Sequence, residues 1–255
     1  MLIKTPEEIE IMRQAGEILS GVMKKIVPYV KRGVSTLELD ERAENFIIRA
    51  GAEPGFKDYG EENPYPATLC ASVNNEVVHS LPRKDKILQE GDIIGLDGGV
   101  RYKGYYSDMA LTLGVGKISP LARKLIRTTE QSLELAIKNI KPDVHLGDIS
   151  RLIQSFVEKN GFSVVRQLCG HGIGKDLHEE PNVFNYGEKG TGLILKPGMV
   201  LAIEPMVNIG NWKVKNLDDG WTIVTEDGSL SAHFEHTILV TEKGAEVLTH
   251  IDKND

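Results

Sequence analysis

Four carboxylates in this chain stand where apolar strands are expected. Asp97 closes Gly91-Asp92-Ile93-Ile94-Gly95-Leu96-Asp97, and Asp108 lies inside Tyr106-Ser107-Asp108-Met109-Ala110-Leu111. Glu204 closes Gly198-Met199-Val200-Leu201-Ala202-Ile203-Glu204, and Glu235 lies inside His233-Phe234-Glu235-His236-Thr237-Ile238. Apolar strands are usually buried, and acids are rarely fully buried unpaired. A single acid of this kind is commonly a turn cap or the partner of an Arg or Lys. Four together call for more. Two carboxylates ~4 Å apart repel by roughly 4 kcal/mol at an effective dielectric near 20. The four must take up protons or bind cations, and two divalent ions would neutralise them and leave room for one hydroxide.

A nitrogen ligand is available in Gly170-His171-Gly172-Ile173-Gly174-Lys175-Asp176-Leu177-His178-Glu179-Glu180-Pro181. The segment is not a zincin helix, because Asn182 stands where H-E-x-x-H needs its second histidine. It is not a phosphate loop, because Cys169 replaces the first Gly of a Walker pattern and Asp176 its Ser/Thr. The third Gly of a dinucleotide fingerprint is also missing. The glycines therefore serve His171, permitting backbone angles and close approaches closed to other residues. One histidine with four acids is a hard, oxygen-rich donor set that suits Mn, Fe or Co at least as well as Zn.

The elements that hold these residues follow from pattern. Thr5-Pro6-Glu7-Glu8 and Ser35-Thr36-Leu37-Glu38 are capping boxes opening amphipathic helices, the second of which stops near Gly51. Two more helices start near Ser119-Pro120 and Gly147-Asp148. Strands are expected at 67–73, 92–96, 107–115, 163–168, 199–203, 221–224 and 233–240. Helices then strands, twice over, is an α+β layout and not a βαβ alternation. It also hides a repeat. Each half offers Gly, an apolar strand, a carboxylate six positions on, and a second strand with another acid. The chain reads as one catalytic domain, 1–255, made of pseudo-symmetric halves at roughly 1–118 and 119–255.

Composition bounds the setting. The chain has 255 residues, 40% hydrophobic and 26% charged, with 30 Lys plus Arg against 37 Asp plus Glu and a formal charge of -7. That size supports a core without disulfides or other staples, and the acidic balance argues against a nucleic-acid partner. Cys70 and Cys169 are distant and form no C-x-x-C, as in a reducing compartment. No run approaches a membrane span of roughly 20 apolar residues, and no signal peptide is evident. The expected location is the cytoplasm.

Taken in order, Asp97 with the Asp108 strand, Gly170-His171-Gly172-Ile173-Gly174 with His178-Glu179-Glu180-Pro181, Ile203-Glu204-Pro205, Phe234-Glu235-His236-Thr237 and Asn75-Glu76-Val77-Val78-His79 resemble the type I methionine aminopeptidases over nearly the whole chain. The resemblance implies the pita-bread fold, two αβ halves around a dinuclear metal centre. It implies that Asp97 chelates one ion, that Asp108 and Glu235 bridge both, and that His171 and Glu204 complete the second. The implied cofactors are two divalent ions, Co, Mn, Fe or Zn. His79 would contact the scissile amide and His178 the oxyanion. Glu204 would carry the proton from the attacking hydroxide to the leaving amine. Tyr65, Cys70 and Trp221 would line an apolar pocket for methionine, with Cys70 a wall and not a nucleophile. The implied substrates are N-terminal methionyl peptides and nascent chains with a small second residue, reached by a monomer that could associate with ribosomes.

Three departures bear on the pocket and not on the metal ligands. Leu177 stands where an aromatic is common, the 59–64 segment is not the usual Tyr-rich loop, and Asn74-Asn75 carries an extra residue. Because Leu2 is large, the chain is expected to keep Met1. The alternatives are an Xaa-Pro aminopeptidase or dipeptidase, which usually carries a large additional N-terminal domain, and a non-catalytic peptide-binding relative without metals.

Overall fold

The computed structural model describes residues 2–250, so the expectation about Met1 lies outside the described residues. Helix α1 (Pro6–Ile26) opens as expected: Thr5 Oγ1 accepts from the Glu8 amide at 3.3 Å, and the Glu8 carboxylate accepts from the Thr5 amide at 2.9 Å. Ser35 and Glu38 exchange the same two bonds at the start of α2 (Thr36–Arg49). The chain leaves α2 through Gly51 at φ +77°, a left-handed exit that glycine makes without steric cost. Helices α3 (Pro120–Asn139) and α4 (Leu146–Lys159) complete the set, with Ser119 capping α3.

Nine strands form the main sheet: β1 (Glu53–Pro54), β2 (Leu69–Val73), β3 (Ile93–Tyr102), β4 (Tyr105–Gly114), β5 (Cys169–Gly172), β6 (Glu179–Phe184), β7 (Val200–Ile203), β8 (Glu235–Val240) and β9 (Ala245–Val247). Their order is β1-β3-β4-β8-β7-β5-β6, with β2 also on β3 and β9 on β8, and every pairing is antiparallel. The α+β layout is as the sequence implied. Helices α1 and α2 pack Leu19, Met23, Leu39 and Ile47 against Ile94, Leu96 and Met109. Helices α3 and α4 pack Leu125, Leu133, Ile149 and Ile153 against Leu201, Ile203 and Ile238. Alternate side chains cross to the opposite face of a strand. With Leu96 and Ile203 in the helix-side cores, Asp97 turns the other way and Glu204 follows just past the end of β7.

Three strand expectations need correction. Of 163–168 only Ser163–Val164 is strand, whereas the glycine-rich segment, not among the expected strands, is itself β5, paired with β6 on one side and β7 on the other. Tertiary pairing on both edges overrides the weak strand preference of glycine. The run 233–240 is broken at Phe234. Ser231–His233 pairs with Met206–Asn208, and β8 begins at Glu235.

The repeat is real, but its register differs from the one the acids suggested. Gly91 N–H donates to Val115 O and Gly198 N–H to Val240 O, each at 2.9 Å, with φ +94° and +87°. Asp97 sits opposite Ala110, and continuing the β7–β8 register from His236 opposite Ile203 puts Glu204 opposite Glu235. These pairings equate Asp97 with Glu204, as read from sequence. They equate Ala110 with Glu235, however, and Asp108 with His233. The strand acids of the two halves are therefore displaced by two residues, one side-chain repeat of a strand.

Candidate metal centre and active site

The two halves meet where β4 runs beside β8, with Glu235 opposite Ala110 and His236 opposite Met109. Reciprocal clamps lock this seam. Thr237 Oγ1 accepts from Asp108 N–H at 2.9 Å and donates to Asp108 O at 2.8 Å. Thr112 Oγ1 accepts from His233 N–H at 2.9 Å and donates to His233 O at 2.8 Å. Backbone placement of both site residues is thus fixed by a hydroxyl from the facing strand.

His171 is set by different means. Side chains at Gly170, Gly172 and Gly174 would strike Ala202 O, Glu180 O and Lys4 Nζ respectively. None of the three has a positive φ. Close approach of neighbours, not unusual backbone angles, is the reason for the glycines. The His171 ring donates Nδ1–H to Gly172 O at 2.9 Å, which leaves the Nε2 lone pair free. That atom lies 3.7 Å from Glu204 Oε1. The turn before His178 is held by Glu179, whose carboxylate accepts the Lys175 amide at 2.8 Å and pairs with buried Lys4 at 2.5 Å.

All the predicted site residues line one cavity of about 190 Å³: Asp97, Asp108, His171, Glu204 and Glu235, with His79 and His178, and with Tyr65, Cys70 and Trp221. Cys70 faces Asp97 across β2 and β3. Tyr65 donates its hydroxyl to Leu69 O or Ser80 O (3.0 and 3.1 Å) and stacks edge-on against Trp221 at 5.1 Å. Leu177, 2% exposed, is part of the wall. His79 adopts φ +55°, a left-handed conformation costly for a residue with a Cβ and most often met at functional sites. Sequence reasoning missed His233, Tyr59, Phe56 and Val78 in the lining. His178 Nδ1 meets the Tyr59 hydroxyl at 3.2 Å. His233 stands in the quoted Glu235 segment, two residues before the acid and on the far side of the break at Phe234.

Electrostatics shows what the donor set lacks. Burial pushes Asp97 up to about 7. Burial, and after it the neighbouring acids, raises Asp108, Glu204 and Glu235 well above the ordinary carboxylate range. Desolvation lowers His171 and His79 to about 4, with His178 adding to the effect. Asp97 Oδ1, Asp108 Oδ1, Glu235 Oε1 and His233 Nε2 are buried without a hydrogen-bond partner. Orphaned buried polar atoms are rare and costly, and here they converge. Ligand atoms of Asp108, His171 and Glu235, and those of Asp97, His233 and Glu235, lie within 4.8 Å of one another. Buried oxygens with added imidazole fit divalent metal ions.

A model of metallopeptidase family M24 matches residues 10–242. The chain belongs to metallopeptidase family M24. Among M24 relatives, it is 51% identical to the methionine aminopeptidase of Clostridium perfringens, covering 98% of this chain and 99% of that one. The crystal structure of methionine aminopeptidase from Thermotoga maritima superposes with a TM-score of 0.95 at 47% identity, covering 98% and 99% of the two chains. Prolidase from Pyrococcus furiosus matches at a TM-score of 0.77 and 25% identity, with 99% of this chain covering 66% of that longer one. The M24 architecture is the pita-bread fold, and the chain is a metal-dependent peptidase.

Proposed function

We propose that the protein is a dinuclear aminopeptidase that removes the initiator methionine from nascent chains whose second residue is small. The observation that carries this reading is the shared cavity, in which an apolar recess of Tyr65, Cys70, Leu177 and Trp221 adjoins the four acids. An apolar recess beside the acids suits an unbranched, polarizable side chain, which is what methionine offers. Likeness along the full length of two methionine aminopeptidases supports the same substrate.

Asp97, Asp108, His171, Glu204 and Glu235 would hold the ions, Asp108 and Glu235 contributing to both in this reading. Divalent ions held there would supply a water acidic enough to ionise near neutral pH and a Lewis acid for the scissile carbonyl. Glu204 receives a proton at a carboxylate oxygen and returns it to the leaving amine. His79, neutral at physiological pH, faces the amide nitrogen. His178 donates to the oxyanion, oriented by Tyr59. The wall of Tyr65, Trp221 and Leu177 excludes water around the methionine side chain. Co, Mn, Fe(II) and Zn all suit the donor set.

Both cysteines are free and no helix among the described residues is long and apolar enough to cross a membrane. The free cysteines suit the reducing cytoplasm in which this reading places the protein, as a monomer that could associate with ribosomes. The reading is tested with Met-Ala-Ser, Met-Leu-Ser and Ala-Pro-Ser peptides. Release of methionine from the first alone is expected. Cleavage of the Ala–Pro bond of Ala-Pro-Ser would move the protein to the prolidase branch, and no cleavage with metal bound would make it a peptide-binding relative.

A further inference from the structure

The second half of the molecule places a histidine where the first half places a metal ligand. Strand register makes His233 the counterpart of Asp108. The threonine clamps say the same: Asp108 is held by Thr237 and His233 by Thr112, each four residues beyond the other clamped residue. Both side chains therefore enter the cavity from equivalent positions of the seam.

His233 is 3% exposed, and its Nε2 has no hydrogen-bond partner. It lies 3.6 Å from Glu204 Oε2 and 3.7 Å from Glu235 Oε2. Those separations are too long for N–H···O bonds, which fall at about 2.7–3.2 Å. They match the 3.7 Å between His171 Nε2 and Glu204 Oε1. Donor atoms each ~2.1 Å from a common ion in tetrahedral array sit about 3.4 Å apart, close to what is seen. Glu204 thus has an imidazole nitrogen facing each of its oxygens.

We propose that His233 is a second imidazole ligand of the metal centre, joining Asp97 and Glu235 around one ion while His171 joins Asp108 and Glu235 around the other. The two triads of donor atoms share Glu235 and are otherwise distinct. The proposal rests on the metallopeptidase reading of this cavity and adds a sixth ligand to the five assigned from sequence. Its chemical consequence is that neither ion has an all-oxygen shell from the protein. Imidazole at both positions draws the pair toward Zn, Fe and Co and away from Mg and Ca.

The test is to load chelator-stripped protein with two equivalents of ¹¹³Cd and record ¹H–¹¹³Cd correlations from the histidine ring protons. Scalar coupling passes only through a metal–nitrogen bond, so it counts imidazole ligands directly. Two coupled imidazoles are expected, one on each ¹¹³Cd resonance. His233→Gln should remove one of them and weaken cadmium at one of the two sites by about tenfold or more, as read by titration. Wild-type protein in which only His171 couples would overturn the proposal without the use of any variant. So would His233→Gln that keeps two coupled imidazoles. Cadmium stoichiometry and methionine release are read on the same wild-type preparation. Two bound ions with active enzyme and one coupled imidazole would sink the His233 assignment alone, whereas failure to bind two ions would sink the dinuclear reading beneath it.

Discussion

The central seam of the sheet has two faces, and each borders a cavity. The cavity against α3 is the larger, about 560 Å³, lined by Leu111, Leu113, Leu133, Ile137 and Phe234. The cavity on the opposite side is about 190 Å³ and holds four acids and four histidines. One strand alternation serves both. Met109 and Leu111 join the apolar cores, while Asp108, Glu235 and the clamped His233 line the smaller cavity. Size therefore does not mark the reactive site. What marks it is a set of desolvated charges with no partner, on a backbone too firmly tied to let them escape to water.

If that contrast is right, substitutions on the two faces should part cleanly. Asp108→Ala should abolish methionine release, a loss above roughly a thousandfold, because bound divalent ions supply several kcal/mol of transition-state stabilisation. Its metal content, read by elemental analysis, should fall with it; an active, metal-free variant would end the comparison. Leu133→Ala, on the apolar side and 2% exposed, should cost about 2–5 kcal/mol of stability. Denaturant unfolding would read that loss, and kcat/KM and metal affinity should stay at wild-type values.

Without metal the acid face should also make the fold pH-sensitive. The raised carboxylates hold protons in the folded state that the unfolded chain has already shed. Their stabilisation is full below the unfolded carboxylate range and is lost as pH rises through the folded values, about 7 for Asp97, with Asp108, Glu204 and Glu235 raised in the same direction. His171, His79 and His233 act in the opposite sense but only below about 6.5, where the unfolded imidazoles become protonated. Above about pH 6.5 the imidazoles no longer contribute and the carboxylates set the slope. Stability of the chelated protein should fall there by up to about 1.4 kcal/mol per pH unit for each proton released. Thermal melts with and without Mn or Co would show it, with the loaded protein nearly flat. The smallest effect is expected from Tyr59→Phe, which removes one hydrogen bond to His178. A net bond of about 1 kcal/mol predicts a loss near fivefold in kcat at unchanged metal affinity.

The same contrast explains how much could be read from sequence. The carboxylates were legible because an acid in an apolar strand conflicts with its surroundings, and the conflict is visible locally. The helix starts were legible because Thr5, Ser35 and Ser119 cap their own helices. His171 was found through its glycines, though their purpose, close packing of β5 between two neighbours, needed the sheet. His233 was missed because a histidine one repeat before Glu235 conflicts with nothing local, and its equivalence to Asp108 exists only in the register of β4 and β8. Tyr59 was missed because it reaches His178 across 119 positions of chain, a contact that no spacing rule encodes. Departures such as Leu177 were visible, but their effect on pocket shape depends on packing.

The central claim is that the acid face holds the metal that does the work. The direct test is methionine released from Met-Ala-Ser by chelator-stripped protein, before and after adding Co, Mn, Fe(II) or Zn without oxygen, with Asp108→Ala alongside. The account predicts no release from stripped protein, recovery on adding metal, and none from the variant under any condition. Release by stripped protein, or recovery in Asp108→Ala, would contradict it.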